Sequence, residues 1–203
     1  MNKTYYQLEL EELKNIGSNK KILLHSCCAP CSSHVISVLT NYADITILYY
    51  NPNIDSNDEY QKRLGELERF VKEFKPANSV KVISIGYNSE DYLQEIEGLE
   101  EELEGGRRCY KCFNLRLEKT CIYAKEHNFD YFTTTLTISP LKNSQTINEI
   151  GHILENKYKV SYLYSDFKKR DGYKRSIVLS HEYNLYRQDY CGCKFSKRRK
   201  VEE

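Results

Sequence analysis

Residues 21–33 read KILLHSCCAPCSS, a short apolar run, Lys21–His25, that ends in a turn crowded with Cys27, Cys28 and Cys31. Downstream, Val35, Ile36, Leu39 and Tyr42 recur at helical spacing, and a second apolar run, Ile45–Tyr50 (ITILYY), is stopped by Asn51-Pro52-Asn53. The alternation then repeats. Asp55–Lys75 has Leu64, Leu67, Val71 and Phe74 on one helical face and is followed by a strand at Val80–Ile85 (VKVISI). Helical spacing over Cys112–Glu126 leads into a strand at Phe129–Thr135, and a helix from Asn143 to Glu155 leads into a fifth at Val160–Leu163. Strands alternating with helices predict an α/β fold, a doubly wound and mainly parallel sheet in three Rossmann-like layers. Ligands in such sheets bind beyond the carboxyl ends of the strands. The turn after His25 and the Ser139-Pro140 segment after Thr135 should therefore open onto one edge, with a cysteine-rich metal site there.

Composition narrows the class of function. At 203 residues and 40% hydrophobic, the chain can bury one ordinary core. No apolar run has the length of a bilayer span, and the polar N-terminus MNKTYYQLELEEL does not resemble a secretory signal, so a cytoplasmic protein without membrane contact is expected. The net charge of +1 conceals an asymmetry: Ser89–Glu104 holds eight carboxylates and no Lys or Arg. From Lys157 onward, thirteen Lys or Arg stand against six Asp or Glu, a balance of +7 interleaved with Tyr158, Tyr162, Tyr164, Tyr173, Tyr183, Tyr186 and Tyr190. Basic side chains neutralise phosphates and phenol rings stack on unpaired bases, so this segment fits a nucleic-acid face. A solubilising basic tail, Lys197–Lys200, would account for the charge as well.

Eight cysteines in a chain expected to meet a reducing compartment suggest metal or redox chemistry more than structural disulfides. Seven fall into three groups: Cys27-Cys28-Ala29-Pro30-Cys31, Cys109-Tyr110-Lys111-Cys112 and Cys191-Gly192-Cys193. Cys121 stands alone on a helical stretch and reads as a buried core thiol. C-x-x-C spacing lets two thiolates reach one ion or cluster, and two such groups complete a four-thiolate site. Cys28/Cys31 and Cys109/Cys112 both have that spacing, and Cys27 makes a fifth thiol, more than a closed zinc site uses. Cys191 and Cys193 lie too close for comfortable joint ligation; a strained, easily reduced disulfide across Gly192 would suit a dithiol that cycles. A zinc-stabilised, non-catalytic nucleic-acid-binding module, a thioredoxin-like dithiol, an iron–sulfur protein and a PP-loop-like tRNA thiolation enzyme all remain open. The last needs a Gly-rich phosphate cradle after the first strand, where this chain has His25-Ser26-Cys27-Cys28-Ala29-Pro30, so ATP use is not expected.

Four blocks carry a resemblance: HSCCAPCSS (25–33), RRCYKCFNLRL (107–117), TTLTISPLKN (134–143) and GYKRSIVLSHEYNLYRQDYCGCKFS (172–196). Together they resemble the signature of the QueH family of epoxyqueuosine reductases. The blocks span nearly the whole chain, with residues 1–20 read as an N-terminal extension and residues 21–203 as a single α/β catalytic domain with a basic C-terminal segment. The resemblance implies an adenine-nucleotide-hydrolase-like (HUP) sheet without the nucleotide. It also implies reduction of epoxyqueuosine, at the wobble position of tRNA, to queuosine, in a cobalamin-independent enzyme with a 4Fe-4S cluster. The ligands it implies are Cys27, Cys28, Cys109 and Cys112, with Cys191–Cys193 as the redox-active pair. Cys31 is left as a ligand of an additional mononuclear iron or a thiol beside the cluster. The implied partners are the anticodon stem-loop of tRNA with a GUN anticodon, and an electron donor.

The reaction needs two electrons and releases oxygen as water, so a Lewis acid or proton donor must meet the epoxide oxygen. His25, with only Ser26 between it and Cys27, is the candidate proton or hydrogen-bond donor, though a strand-end histidine fits equally well. Tyr110 and Lys111, within a C-x-x-C loop, are expected near the metal. Arg107, Arg108, Lys174, Arg175 and Arg187 are the expected tRNA contacts, with Tyr173 as a stacking residue.

Overall fold

A computed structural model of the chain describes residues 3–17 and 19–197. Arg198, Arg199 and Lys200 of the basic tail lie outside the described residues. In order along the chain the elements are α1 (Tyr5–Asn15), β1 (Lys21–His25), α2 (Ala29–Leu39), β2 (Asp44–Tyr49), α3 (Asn57–Phe74) and β3 (Val80–Ser84). Then follow α4 (Ser89–Glu95), α5 (Arg107–Glu126), β4 (Tyr131–Thr134), α6 (Ser144–Tyr158), β5 (Ser161–Tyr162) and α7 (Gly172–Glu182).

Successive residues of β1 point to opposite faces, and Ile22, Leu23 and Leu24 are all apolar, so the strand is stable only with cover on both sides. It has that cover. Ile22 and Leu24 join Ile45 and Ile47 beneath Val35, Ile36, Leu67 and Phe70 of α2 and α3. Leu23 joins Leu48 and Phe132 beneath Leu117, Cys121, Ile147 and Ile150 of α5 and α6. Among the described residues the sheet is parallel throughout, in the order β3-β2-β1-β4-β5, with Ile22 opposite Ile45 and Tyr131. The chain builds outward from β1 to β3 and then returns to the other side of β1 for β4. The strand order therefore reverses between β1 and β4, where doubly wound sheets open a crevice. The doubly wound layout read from the sequence is the observed one.

Two helices begin earlier than their periodicity suggests, and both shifts matter. α2 starts at Ala29, capped by Cys28 in extended conformation with no side-chain capping bond, and Pro30 sits in the first turn, where its missing N–H costs nothing. α5 starts at Arg107, capped by Gly106, so Cys109 and Cys112 lie in the first two turns of a helix and not in a loop. Neither start has the Ser, Thr, Asp or Asn that announces an N-cap. The Glu102 carboxylate substitutes for one by accepting the Arg107 amide, five residues away.

Residues 1–20, read as an extension, include α1, which packs on the domain. Thr4 and Gln7 form a capping box at its start, and Leu13 is buried in the core. The outer edge of the sheet presents the amides of Tyr162, Tyr164 and Asp166, and these donate to the carboxylates of Glu155, Glu12 and Glu9 at 3.0, 3.1 and 2.8 Å. An edge that would otherwise template another strand is thereby covered. Burial pushes the Glu9 and Glu12 carboxyls up to about 7. Because the folded carboxyls hold protons more tightly than the unfolded ones, stability falls as pH rises from about 4.5 to about 7. Denaturant titrations of wild type should lose on the order of 1–3 kcal/mol between pH 5 and 8, and Glu9→Gln should flatten that slope.

Candidate active site

The turn after β1 is built to gather sulfur. Ser32 donates to the Cys28 carbonyl (2.8 Å), and its hydroxyl lies 2.6 Å from that of Ser26. The Ser26 carbonyl accepts from Asn51, on the loop after β2. Held in this way, the sulfurs of Cys27, Cys28 and Cys31 lie within 4.8 Å of one another, with Cys27 and Cys28 only 3.8 Å apart. Bonds from Cys28 and Cys31 hold the Cys27 thiol well below its ordinary range, while bonding to Cys27 pushes Cys28 up to about 12 and raises Cys31. Cys109 and Cys112, projected from the first turns of α5, stand outside this 4.8 Å group. Burial raises both, Cys112 to about 12, and the nearby Cys191 raises them further. Cys121 is fully buried and faces the Leu154 carbonyl, in the core role expected of it.

Cys191-Gly192-Cys193 folds back over the same region. The Gly192 carbonyl accepts from the Asp55 amide (2.9 Å), and Arg63 donates to the Cys191 carbonyl (3.3 Å). Gly192 has φ +107°, and a β-carbon there would lie 3.0 Å from the Arg63 guanidinium and 3.1 Å from Ile54. Only glycine suits both the backbone and the space. The two thiols, both free, face different surroundings. Cys191 lines a cleft of about 190 Å³ with Cys27 and Cys31, whereas Cys193 is buried with Tyr92, Ile96 and Cys112, its sulfur 3.0 Å from the Tyr92 hydroxyl.

The remaining walls of the cleft come from Pro30, from Glu104 ahead of α5, from Ile138–Lys142 after β4, from Tyr173 and Ser176 on α7, and from Arg187–Tyr190 and Ser196. Both segments flanking the switch point thus open onto one edge. Three residues that periodicity did not mark out stand close to the cysteines. Thr135 accepts the Cys27 amide (3.4 Å). Lys142 is half-buried; burial opposes its charge, but Cys191, Cys27 and Cys31 outweigh that and hold its ammonium well above the ordinary range. Arg116 is fully buried on α5, one turn beyond Cys112, and donates to the Cys112 carbonyl (3.0 Å). A sequence signal for Arg116 existed: Cys109, Cys112 and Arg116 are spaced i, i+3, i+7 on one helical face.

Several sequence expectations change. His25 does not reach the cleft. Its Nε2–H donates to the Tyr50 carbonyl and its Nδ1 accepts from Thr134, the tautomer a carbonyl partner requires. Burial lowers its imidazole to about 3, and with both ring nitrogens engaged it pins β1 to β4 and to the end of β2. Arg108 is also buried and donates to the carbonyls of Glu100 and Glu102, which removes it from any phosphate contact. Tyr110 and Lys111 turn away from the sulfurs; Lys111 pairs with Glu95 (3.0 Å). Arg107 is exposed and paired with Glu102, and Lys174 is exposed and paired with Asp171. Arg175 is exposed, while Tyr173 and Arg187 line the cleft. Of the seven C-terminal tyrosines, Tyr173 and Tyr190 line it. Tyr158 bonds Glu118, Tyr186 bonds Glu59, Tyr183 packs on Phe70, and Tyr162 is buried.

A family model described as Epoxyqueuosine reductase QueH matches residues 22–199. A protein of that name from Streptococcus pyogenes serotype M1 is 49% identical over 177 residues, covering 86% of this chain and 69% of its own. Its counterpart from Staphylococcus epidermidis is 50% identical over 184 residues, covering 89% and 77%. Among solved structures, the U34-tRNA thiolase NcsA from Methanococcus maripaludis with its 4Fe-4S cluster superposes with a TM-score of 0.54 at 12% identity, covering 94% of this chain and 67% of that one, a likeness of fold. With the signature cysteines gathered at the switch point and the match running almost end to end, this chain belongs to the QueH family of epoxyqueuosine reductases.

Proposed function

We infer that this chain reduces the epoxide of epoxyqueuosine in tRNA, yielding queuosine, and that it does so with a 4Fe-4S cluster held by Cys27, Cys28, Cys109 and Cys112. The observation that supports this reading is the meeting of Cys27, Cys31 and Cys191 in one cleft at the strand switch point, with Cys112 packed beside Cys193 and close enough to Cys191 to be acted on by it. The donor set suits an iron–sulfur core: soft thiols, with the buried Arg116 Nη2 near them left without a hydrogen-bond partner among the described residues. Bound there, the cluster would supply single-electron storage and Lewis acidity. Cys31, within 4.8 Å of Cys27 and Cys28, is the ligand we assign to an additional iron.

The chain's own residues account for the rest of the balance. Epoxide plus two electrons and two protons becomes alkene plus water. Cys191 and Cys193 supply both electrons and both protons by closing to a disulfide, which an external donor must reopen. Lys142 presents its ammonium to the departing oxygen, hands on a proton and is recharged from the dithiol or from water. Tyr173 and Tyr190 offer faces on which an unstacked base can rest. Arg175 and Arg187, with Lys174 and Arg107 after release from their carboxylates, neutralise phosphates around a GUN anticodon loop.

The test is anaerobic. Purified or reconstituted protein should be brown, contain iron and acid-labile sulfide, and convert epoxyqueuosine-containing tRNA to queuosine with a chemical reductant, read by nucleoside analysis. Cys27→Ser and Cys112→Ser should lose most of the iron, while Cys121→Ser should keep it. A colourless protein holding zinc, inactive on that tRNA, would overturn the reading in favour of a binding module.

A further inference from the structure

Three arginines are buried among the described residues, and two have their charge met. Arg63 pairs with Glu59 at 2.7 Å, and Arg108 donates to the carbonyls of a strongly acidic loop and faces Glu102. Arg116 is different. It is 1% exposed, no carboxylate among the described residues lies within ion-pair distance, and its one hydrogen bond reaches a carbonyl. Its Nη2 has no hydrogen-bond partner among the described residues; Arg63 and Arg108 each leave one guanidinium nitrogen in the same state, but with a carboxylate at hand. Burying a guanidinium without an anion costs several kcal/mol. It stands one turn beyond Cys112 on α5, and Cys191 and Cys27, from the other two cysteine segments, are near enough to act on its charge.

We propose that Arg116 is the internal counter-ion of the thiolate-bound inorganic core, a positioning residue whose unpaired guanidinium edge awaits the negative charge that arrives with the cluster. This rests on the cluster reading above. Four thiolates on a 4Fe-4S core of charge 2+ leave a net charge of −2, and one-electron reduction makes it −3. A fixed positive charge against that core stabilises both states and the reduced one more, so it raises the reduction potential. The arrangement also predicts a sign change. Without metal, Arg116 is an uncompensated buried charge and weakens the fold; with the cluster bound, it strengthens it.

The experiment compares wild type with Arg116→Met, which keeps much of the apolar stem and removes the charge, and with Arg116→Lys, which keeps the charge. Spectroscopic redox titration of the reconstituted proteins should show the reduction equilibrium of Arg116→Met shifted at least tenfold toward the oxidised form, 59 mV for one electron. Arg116→Lys should recover part of that shift. Thermal melts of the metal-free proteins should show Arg116→Met equal to or more stable than wild type, with the order reversed after reconstitution. An unchanged potential in Arg116→Met at full iron content, or an equal loss of stability with and without the cluster, overturns the proposal. Should Arg116→Met fail to accumulate folded, Arg116→Lys against Arg116→Gln gives the same comparison of potentials. Wild type that binds no iron would instead defeat the cluster reading itself, a distinguishable result.

Discussion

Replacing Lys142 with methionine is expected to lower turnover of epoxyqueuosine in tRNA by about 10²–10⁴-fold, the usual cost of removing a positioned proton donor. Iron and sulfide content should stay at wild-type levels. Expelling the epoxide oxygen unprotonated is difficult, and His25 is buried off the cleft with both ring nitrogens bonded. The cations lining the cleft among the described residues are Lys142 and Arg187. Arg187 is occupied by the Ser180 hydroxyl at 3.0 Å, whereas the Lys142 ammonium has no hydrogen bond or ion pair among the described residues. Lys142 also follows the short turn after β4, on the wall facing Cys27, Cys31 and Cys191. Lys142→Arg should retain more activity than Lys142→Met, since charge is kept while reach changes. If Lys142→Met turned over within threefold of wild type, the ammonium would not be at the oxygen.

Cys191→Ser and Cys193→Ser should each abolish multiple turnover while keeping the cluster, because the electron pair needs both sulfurs. Their reactivity should nonetheless differ. Cys191 lines the cleft, while Cys193 is 6% exposed and shielded by Tyr92 and Phe195. Alkylation of the reduced protein, mapped by mass spectrometry, should mark Cys191 well before Cys193. Equal labelling, or full activity in either serine variant, would contradict the dithiol assignment. Gly192→Ala should fall close to the serine variants in turnover, since the added carbon meets Arg63 and Ile54 and lifts the segment off its docking residues.

Much of this was legible in advance because it depends on short-range pattern. The run Ile22-Leu23-Leu24 flanked by helical periodicities is a statement about burial on two faces, and the sheet forms where those runs lie. Spacing also picked out the cysteine groups. Helix starts were not legible where the cap is made by a distant side chain, as with Glu102 at Arg107. Nor could charge counting separate Arg108, enclosed by its own loop carbonyls, from Arg187, which lines the cleft. The same holds for Tyr186 and Tyr158, whose hydroxyls are committed to Glu59 and Glu118.

The amino-acid sequence by itself determined the alternation of strand and helix, the layered parallel sheet, the edge on which chemistry occurs and the family to which the chain belongs. Each follows from local hydrophobic period or from residue types at short spacing. Tertiary structure alone decided which polar groups face the cleft. It turned His25 inward, set Cys191 and Cys193 in different surroundings, and left Arg116 and Lys142 near the sulfurs with no carboxylate paired to them among the described residues. The reason is physical: the ionisation and reach of a polar side chain depend on burial and on partners up to a hundred residues away, which periodicity does not encode.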